Sequence, residues 1–182
     1  MQIITGKYRA RKLVSVEGDT TRPTLARVKE SVFNLIQGRI DGSVVLDLFA
    51  GSGAFGCECI SRNAKTVYFV DQEPKAIKAI ETNTKNMKEE FKVVRSDFKS
   101  ALTGFKNQNI KFDLVYLDPP YKSDFAIKSL CVLNDLNLVN DGATIVVEHE
   151  FENDLQNLPS CYIIEKSKKY GIAYIDILKF SL

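Results

Sequence analysis

The segment Leu117-Asp118-Pro119-Pro120-Tyr121 concentrates the chemistry of this sequence. Two consecutive prolines, Pro119 and Pro120, fix the backbone and remove two amide donors, so that carbonyls and the Asp118 carboxylate are left to face a ligand. A pocket so rich in acceptors suits a group that donates two hydrogen bonds, and an exocyclic –NH2 of a nucleic-acid base is such a group. The lone pair of that nitrogen is delocalised into the ring and is a poor nucleophile. Accepting both N–H protons, at Asp118 and at the Pro119 carbonyl, favours a pyramidal nitrogen with its lone pair aimed outward. Against a good leaving group such as a sulfonium, positioning and preorganised electrostatics then suffice, with no metal and no covalent intermediate. Tyr121 offers a ring on which an unstacked base can rest. The plain alternative is a rigid turn with no ligand.

A second segment supplies the other half of such a reaction. Val45-Leu-Asp-Leu-Phe-Ala-Gly-Ser-Gly-Ala-Phe-Gly56 leaves a strand, turns through glycines and enters a helix. Gly51, Gly53 and Gly56 fit G-x-G-x-x-G, which lets backbone approach a ligand closely; alone, this pattern also marks ordinary tight turns. Asp71 lies 20 residues after Gly51, at the end of the next strand, where a carboxylate can accept both hydroxyl protons of a ribose. That geometry suits a nicotinamide dinucleotide or S-adenosylmethionine. Asp47, just ahead of the glycines, favours the second, because a carboxylate there repels a pyrophosphate and tolerates an ammonium or sulfonium. Asp97 can accept from an adenine amino group, with Phe98 against the ring, or can simply cap the following helix. The candidate cofactor residues are thus Asp47, Phe49, Ala50, Gly51, Ser52, Gly53 and Gly56 on the first loop, Asp71 and Gln72 on the second, and Asp97 and Phe98 on the third.

These loops need a scaffold that brings strand ends together. Strand-like runs are expected at Val44–Phe49, Thr66–Val70, Phe91–Val94, Phe112–Leu117 and Ala143–Glu148, with helices at Ala54–Arg62, Pro74–Lys88, Phe98–Phe105 and Phe125–Leu136 between them. Asp41-Gly42 and Asp141-Gly142 mark turns before the first and fifth strands. Continuously apolar strands alternating with helices predict an α/β, doubly wound, mostly parallel sheet covered on both faces. Cys161–Lys166 and Ile172–Phe180, joined by 167–171, predict a C-terminal antiparallel hairpin, for a seven-stranded Rossmann-like sheet in all. Before it, Gln2–Thr5 and Lys12–Val16 read as a short hairpin. Residues 24–38 read as a helix with Leu25, Val28, Val32, Leu35 and Ile36 on one face and Thr24 as its cap. The division expected is an N-terminal extension, 1–40, packed on a main domain, 41–182.

Composition limits the alternatives. At 182 residues, 45% hydrophobic and 26% charged, the chain is one globular domain in size and character. Its net charge is only +2, yet residues 1–30 hold seven basic side chains against three acidic ones, an excess that can attract phosphates or merely face solvent. Cys57, Cys59, Cys131 and Cys161 form no C-x-x-C pair and read as reduced, buried small residues rather than metal ligands. The N-terminus lacks a signal-peptide pattern and no apolar run approaches the ~20 residues that span a bilayer. The expectation is a cytoplasmic, monomeric protein without a membrane partner. His149 reads as a polar rim residue rather than a base, Glu148 as a substrate contact or a pairing residue, and Lys166, Lys168 and Lys169 as solvated hairpin-tip lysines.

Taken together, D-L-F-A-G-S-G, Asp71 and D-P-P-Y resemble a class I S-adenosylmethionine-dependent methyltransferase. The segments I-T-G-K-Y-R-A-R-K-L (4–13) and R-P-T-L-A-R-V-K-E-S-V-F-N (22–34) are similar to the bacterial RsmD family, which methylates guanine N2 in small-subunit ribosomal RNA. The resemblance covers nearly the whole chain. It implies that 118–121 form the catalytic loop, that the Gly51–Gly56 loop and Asp71 hold S-adenosylmethionine, and that Arg9, Arg11, Arg22 and Arg27, with Thr24 beside them, face ribosomal RNA in the small subunit or an assembly intermediate. Many members carry Phe where Tyr121 stands, and either ring can stack. Members commonly have Thr and Asp where this chain has Leu25-Ala26. Residue chemistry alone does not separate guanine N2 from adenine N6 or cytosine N4. Three other readings stand beside this one. A nicotinamide-dependent oxidoreductase shares the glycine loop but lacks a use for D-P-P-Y. A DNA amino-methyltransferase usually adds a target-recognition region, for which there is little room. The third is an RNA-binding module with an inactive cofactor site.

Overall fold

The computed structural model describes residues 1–16, 23–120, 124–149, 155 and 157–182, with backbone alone for 23–27. Helix α1 (Pro23–Leu35) precedes an alternation of β1 (Val44–Leu48), α2 (Ala54–Ser61), β2 (Thr66–Asp71), α3 (Pro74–Thr84), β3 (Phe91–Arg95), α4 (Phe98–Asn107), β4 (Phe112–Leu117), α5 (Phe125–Asp135) and β5 (Val139–His149), and the chain ends in β6 (Tyr162–Tyr170) and β7 (Ala173–Phe180). The strands form one sheet in the order β3-β2-β1-β4-β5-β7-β6. The first five are parallel; β7 runs antiparallel between β5 and β6. The doubly wound sheet with its antiparallel ending is therefore the expected one. Inserting β7 inside β6 gives β5 a partner on its outer side.

Both faces are covered, which is why the strands read as unbroken Val, Leu, Ile and Phe. Leu46, Leu48, Val115 and Leu117 pack on one face with Leu102, Phe105 and Leu130 of α4 and α5. Val45, Val67, Phe69 and Leu114 pack on the other with Val32, Phe33, Ile60 and Ile80 of α1, α2 and α3. Asp47 on β1 and Tyr116 on β4, direct neighbours in register, interrupt that second face near the strand ends. The order reverses between β1 and β4, and the crevice at this switch point is where doubly wound sheets bind ligands.

Several boundaries differ from expectation. Helix α1 starts at Pro23, whose missing N–H suits a first helical position, so Thr24 lies within the first turn instead of capping it. Helix α3 stops at Thr84 rather than Lys88, because Lys85 turns extended and Asn86 adopts φ 67°. Asp141-Gly142 is not a turn ahead of the fifth strand: β5 already begins at Val139, and the pair sits in a bulge where the β4–β5 register shifts between Phe112 and Leu114. The loop expected over 167–171 is mostly strand. Lys166, Lys168 and Lys169 belong to β6 and pair with β7, so the turn is confined to Gly171-Ile172. Exposed charge along β6 protects this edge of the sheet. The N-terminal hairpin is closed by one bridge, Gln2–Lys12.

Candidate active site

Loop geometry follows from the glycines. Between β1 and α2 the backbone enters the left-handed region at Phe49 (φ 69°), Gly51 (φ 53°) and Gly53 (φ 71°). Phe49 is the uncommon case, since only a glycine adopts this conformation without steric cost. Gly56 is required for a different reason: a Cβ there would lie 2.2 Å from Phe69 Cε1, so helix α2 seats on β2 only with a glycine at that turn. Two carboxylates hold the loop from outside. Asp71 Oδ2 accepts the Gly51 N–H (2.8 Å) and Oδ1 the Glu73 N–H (2.9 Å). Asp47 Oδ2 accepts the Gly56 N–H (2.9 Å).

A cavity of about 600 Å³ opens at the carboxyl ends of β1, β2, β3 and β4. It has the size of a small-molecule site. Phe49, Gly51, Asp71, Gln72, Asp97, Phe98, Asp118, Pro119 and Pro120 all line it, so residues proposed from four separate loops meet in one place. Its floor is aromatic. Phe49 lies 5.7 Å from Phe98 and 6.2 Å from Phe125, the latter pair parallel, while Phe98 and Phe125 are 5.4 Å apart, so the three rings pack into an apolar surface against which a flat ring can lie. Asp71, with two acceptor sites on each oxygen, can bind ribose hydroxyls without releasing the loop. Asp97 caps α4, its Oδ1 accepting from Lys99 N (3.0 Å) and Ser100 N (3.1 Å), and the residue also lines the cavity. Hydrogen bonds from Ser100 and then Lys99 hold its carboxyl below the ordinary carboxylate range.

A smaller cavity of about 190 Å³ adjoins the first through shared walls at Phe49, Gly51 and Asp118. Ala50, Ser52, Asp47, Tyr116 and Glu148 line it, with Val28, Lys29 and Val32 of α1. Its electrostatics are unlike those of its neighbour. Asp47 is 1% exposed and its Oδ1 has no hydrogen-bond partner. Burial, only partly offset by the Gly56 N–H, pushes its carboxyl from 3.8 up to about 8, with the nearby charge of Asp71 adding to the rise. Glu148 is 4% exposed and accepts the Tyr116 hydroxyl at Oε2 (2.8 Å); burial raises its carboxyl too, the tyrosine bond opposing. Tyr116 is held by stacking on Phe55 (4.1 Å between centroids), which stacks in turn on Phe33 (4.9 Å) of α1.

The residues read from sequence for the RNA side fare unevenly. Arg9 is exposed beside a further depression with Lys29 and Glu30. Arg11 is half-buried, donating to the Lys85 carbonyl and lying over the Tyr8 ring. Arg22 and Tyr121 lie outside the described residues, as do the side chains of Thr24 and Arg27. Part of the N-terminal basic excess is internal. Lys29 pairs with buried Glu58 (3.0 Å) and Lys7 with Glu89 (3.0 Å). Glu58, with no outward sign in the sequence, also accepts Ile4 N (2.7 Å), Thr5 N (3.0 Å) and Arg62 Nε (2.9 Å), tying the N-terminal segment to α2. Phe125 and Lys29 were not foreseen at the two cavities; the position of Phe125, opening the helix after D-P-P-Y, was the available signal. His149 points elsewhere, bonded to Asp176 (2.9 Å) and stacked on Tyr174. Cys57 and Cys59 are buried, and burial pushes the Cys57 thiol up to about 12, so neither is a ready nucleophile. Cys131 and Cys161 are half-buried. Among the described residues no group of three or more His, Cys, Asp and Glu is placed to hold a metal, and no helix is long and apolar enough to cross a membrane.

Residues 1–179 match the model of a family described as conserved hypothetical protein 95. Ribosomal RNA small subunit methyltransferase D of Haemophilus influenzae is 35% identical over 175 residues, covering 94% of this chain and 90% of that protein. The chain belongs to this family, the RsmD-like methyltransferases. YlbH of Bacillus subtilis is 35% identical over 181 residues, 98% of each chain. Among solved structures, yhhF of Escherichia coli superimposes with a TM-score of 0.87 at 28% identity, covering 100% of this chain and 98% of that one. A methyltransferase needs one site for its methyl donor and one for its acceptor.

Proposed function

We propose that this protein transfers the methyl group of S-adenosylmethionine to the exocyclic N2 amine of a guanine in small-subunit ribosomal RNA. The observation that carries this reading is the wall common to the two cavities, where Asp118 stands between the glycine loop and the pocket of buried carboxylates. The larger cavity fits the donor: Phe49, Phe98 and Phe125 would hold its adenine and Asp71 its ribose, while Asp47, on the adjoining smaller cavity with an unpartnered buried oxygen, offers an acceptor near the shared wall. S-adenosylmethionine supplies an electrophilic methyl on a sulfonium that leaves as a neutral thioether. The chain's own part is positional. Asp118 and the Pro119 carbonyl accept the two N–H protons of the amine, bring its lone pair to face the donor, and leave a carboxylate beside the proton lost when the C–N bond forms. Pro119 and Pro120 keep the carbonyl from swinging away.

The substrate class rests on the Haemophilus influenzae relative, which is named for the small-subunit ribosomal RNA. In this reading Arg9, Arg11, Arg22, Thr24 and Arg27 form the RNA-facing side of residues 1–40, and a monomer acts on the small subunit or on an assembly intermediate in the cytoplasm. Offering methyl-labelled donor with free ribosomal RNA, small subunits and duplex DNA, then digesting to nucleosides, tests it. N2-methylguanosine from RNA is expected; N6-methyladenosine, or label in DNA alone, refutes it.

A further inference from the structure

Asp118 and the Pro119 carbonyl recognise an amine without identifying its ring. Guanine, adenine and cytosine each present an exocyclic –NH2, and they differ at the neighbouring ring nitrogen. Guanine carries a proton there (N1–H, a donor), whereas adenine N1 and cytosine N3 are bare acceptors. A reader of guanine therefore needs an acceptor one step beyond the group that holds the amine.

Glu148 stands at that place. The parallel register ends at Leu117–Val147; Asp118, the residue just past β4, and Glu148, the next residue of β5, line the same small cavity. Neighbouring strands lie about 4.8 Å apart, a spacing that lets two acceptors hold two adjacent donors on one base edge. The order β2-β1-β4-β5 puts Asp71 and the glycine loop on the donor's side of Asp118 and Glu148 on the far side. One oxygen of Glu148, Oε2, is fixed by the Tyr116 hydroxyl (2.8 Å), and that tyrosine is clamped by the stack on Phe55. The other, Oε1, takes no hydrogen bond among the described residues. A carboxylate oriented in the cavity wall, with one oxygen not engaged by the protein, is able to accept from a ligand that donates to it.

We propose that Glu148 accepts the N1–H of the target guanine and so selects guanine over adenine and cytosine at this site. The inference rests on the guanine-N2 reading above. It assigns Glu148 a contact with the base and makes Tyr116 a positioning residue, acting through Glu148.

The probe is RNA, or the subunit assembled on it, carrying 2-aminopurine in place of the mapped guanine. This base keeps the 2-amino group but has a bare N1. The wild-type protein, assayed at pH 8, should prefer guanine by roughly tenfold to a hundredfold in kcat/KM. Glu148→Gln, which is isosteric and whose amide can donate as well as accept, should lose a similar factor on guanine and bring the ratio near one. Its affinity for S-adenosylhomocysteine in calorimetry should stay within about twofold. Because 2-aminopurine also lacks O6, only the part of the preference that vanishes in E148Q is assigned to Glu148. Tyr116→Phe should lower the same ratio by a smaller factor, and it serves as the test if E148Q melts well below wild type. An unchanged ratio in a folded E148Q or Y116F overturns the proposal. So does weakened S-adenosylhomocysteine binding with equal loss on both bases, which would assign Glu148 to the donor. Failure of the guanine reading shows separately, as wild-type label outside N2-methylguanosine.

Discussion

Two groups of buried carboxylate oxygens lie on the same side of the sheet and are treated in opposite ways. Glu58, fully buried on α2, is saturated: Lys29, Arg62 and the amides of Ile4 and Thr5 all donate to it. Asp47 and Glu148, nearly as buried at the strand ends, each hold one hydrogen bond on one oxygen, and both carboxyls are pushed up by desolvation. The first arrangement is a seam that fastens the N-terminal segment to the main sheet. The second keeps acceptor capacity in reserve beside Asp118. Buried polar groups are ordinarily satisfied, so spare acceptor capacity that also lines a cavity, as at Asp47 and Glu148 but not at Asp176 or Ser129, points to a place for a ligand.

That contrast can be broken by substitution. Asp118→Ala should have the largest effect, slowing methyl transfer by about a hundredfold to a thousandfold in single turnover while the melting temperature and S-adenosylhomocysteine affinity hold. Undiminished transfer would remove Asp118 from the mechanism. Glu58→Ala should do the reverse. It leaves Lys29 and Arg62 facing each other without their counter-ion and two amides unpaired, costing roughly 3 kcal/mol in denaturant unfolding, with the rate per folded molecule little changed.

Asp47 adds a pH signature. Its carboxyl titrates at 3.8 when unfolded and at about 8 in the fold, so the folded chain keeps a proton that the unfolded chain gives up. Stability should therefore fall as pH rises from about 4 to about 8 and level off above, as the linkage relation requires. Asp47→Asn should flatten that slope in thermal melts of the ligand-free protein; an identical slope contradicts the assignment. The smallest effect is expected at Asp97, whose carboxylate caps α4: alanine there should cost about 1 kcal/mol from the lost cap, with a further loss of donor affinity separating its second role.

What the sequence disclosed divides along the same line. The glycine loop, Asp71 and Asp118-Pro119-Pro120 stood out because each motif is local, and the structure brings them to one cavity. The sheet was legible because strands covered on both faces are apolar throughout, and β4 (Phe112–Leu117) fell at its expected bounds. Glu58 was not, since its amide partners lie 53 and 54 residues away and nothing nearby in the chain distinguishes it from a surface glutamate. The N-terminal basic excess misled for the same reason: Lys29 counts as surface charge until the fold shows it paired inside. Lys166, Lys168 and Lys169 seemed a hairpin tip because charge marks both turns and sheet edges, and only the pairing with β7 decides between them.

The central claim is that donor and acceptor meet at the wall shared by the two cavities. A crystal structure with bound S-adenosylhomocysteine tests it most directly. The account predicts the adenine among Phe49, Phe98 and Phe125, the ribose on Asp71, and the sulfur between Gly51 and Asp118, facing the smaller cavity. A sulfur lodged toward Gln72 and Glu73, away from Asp118, would contradict it.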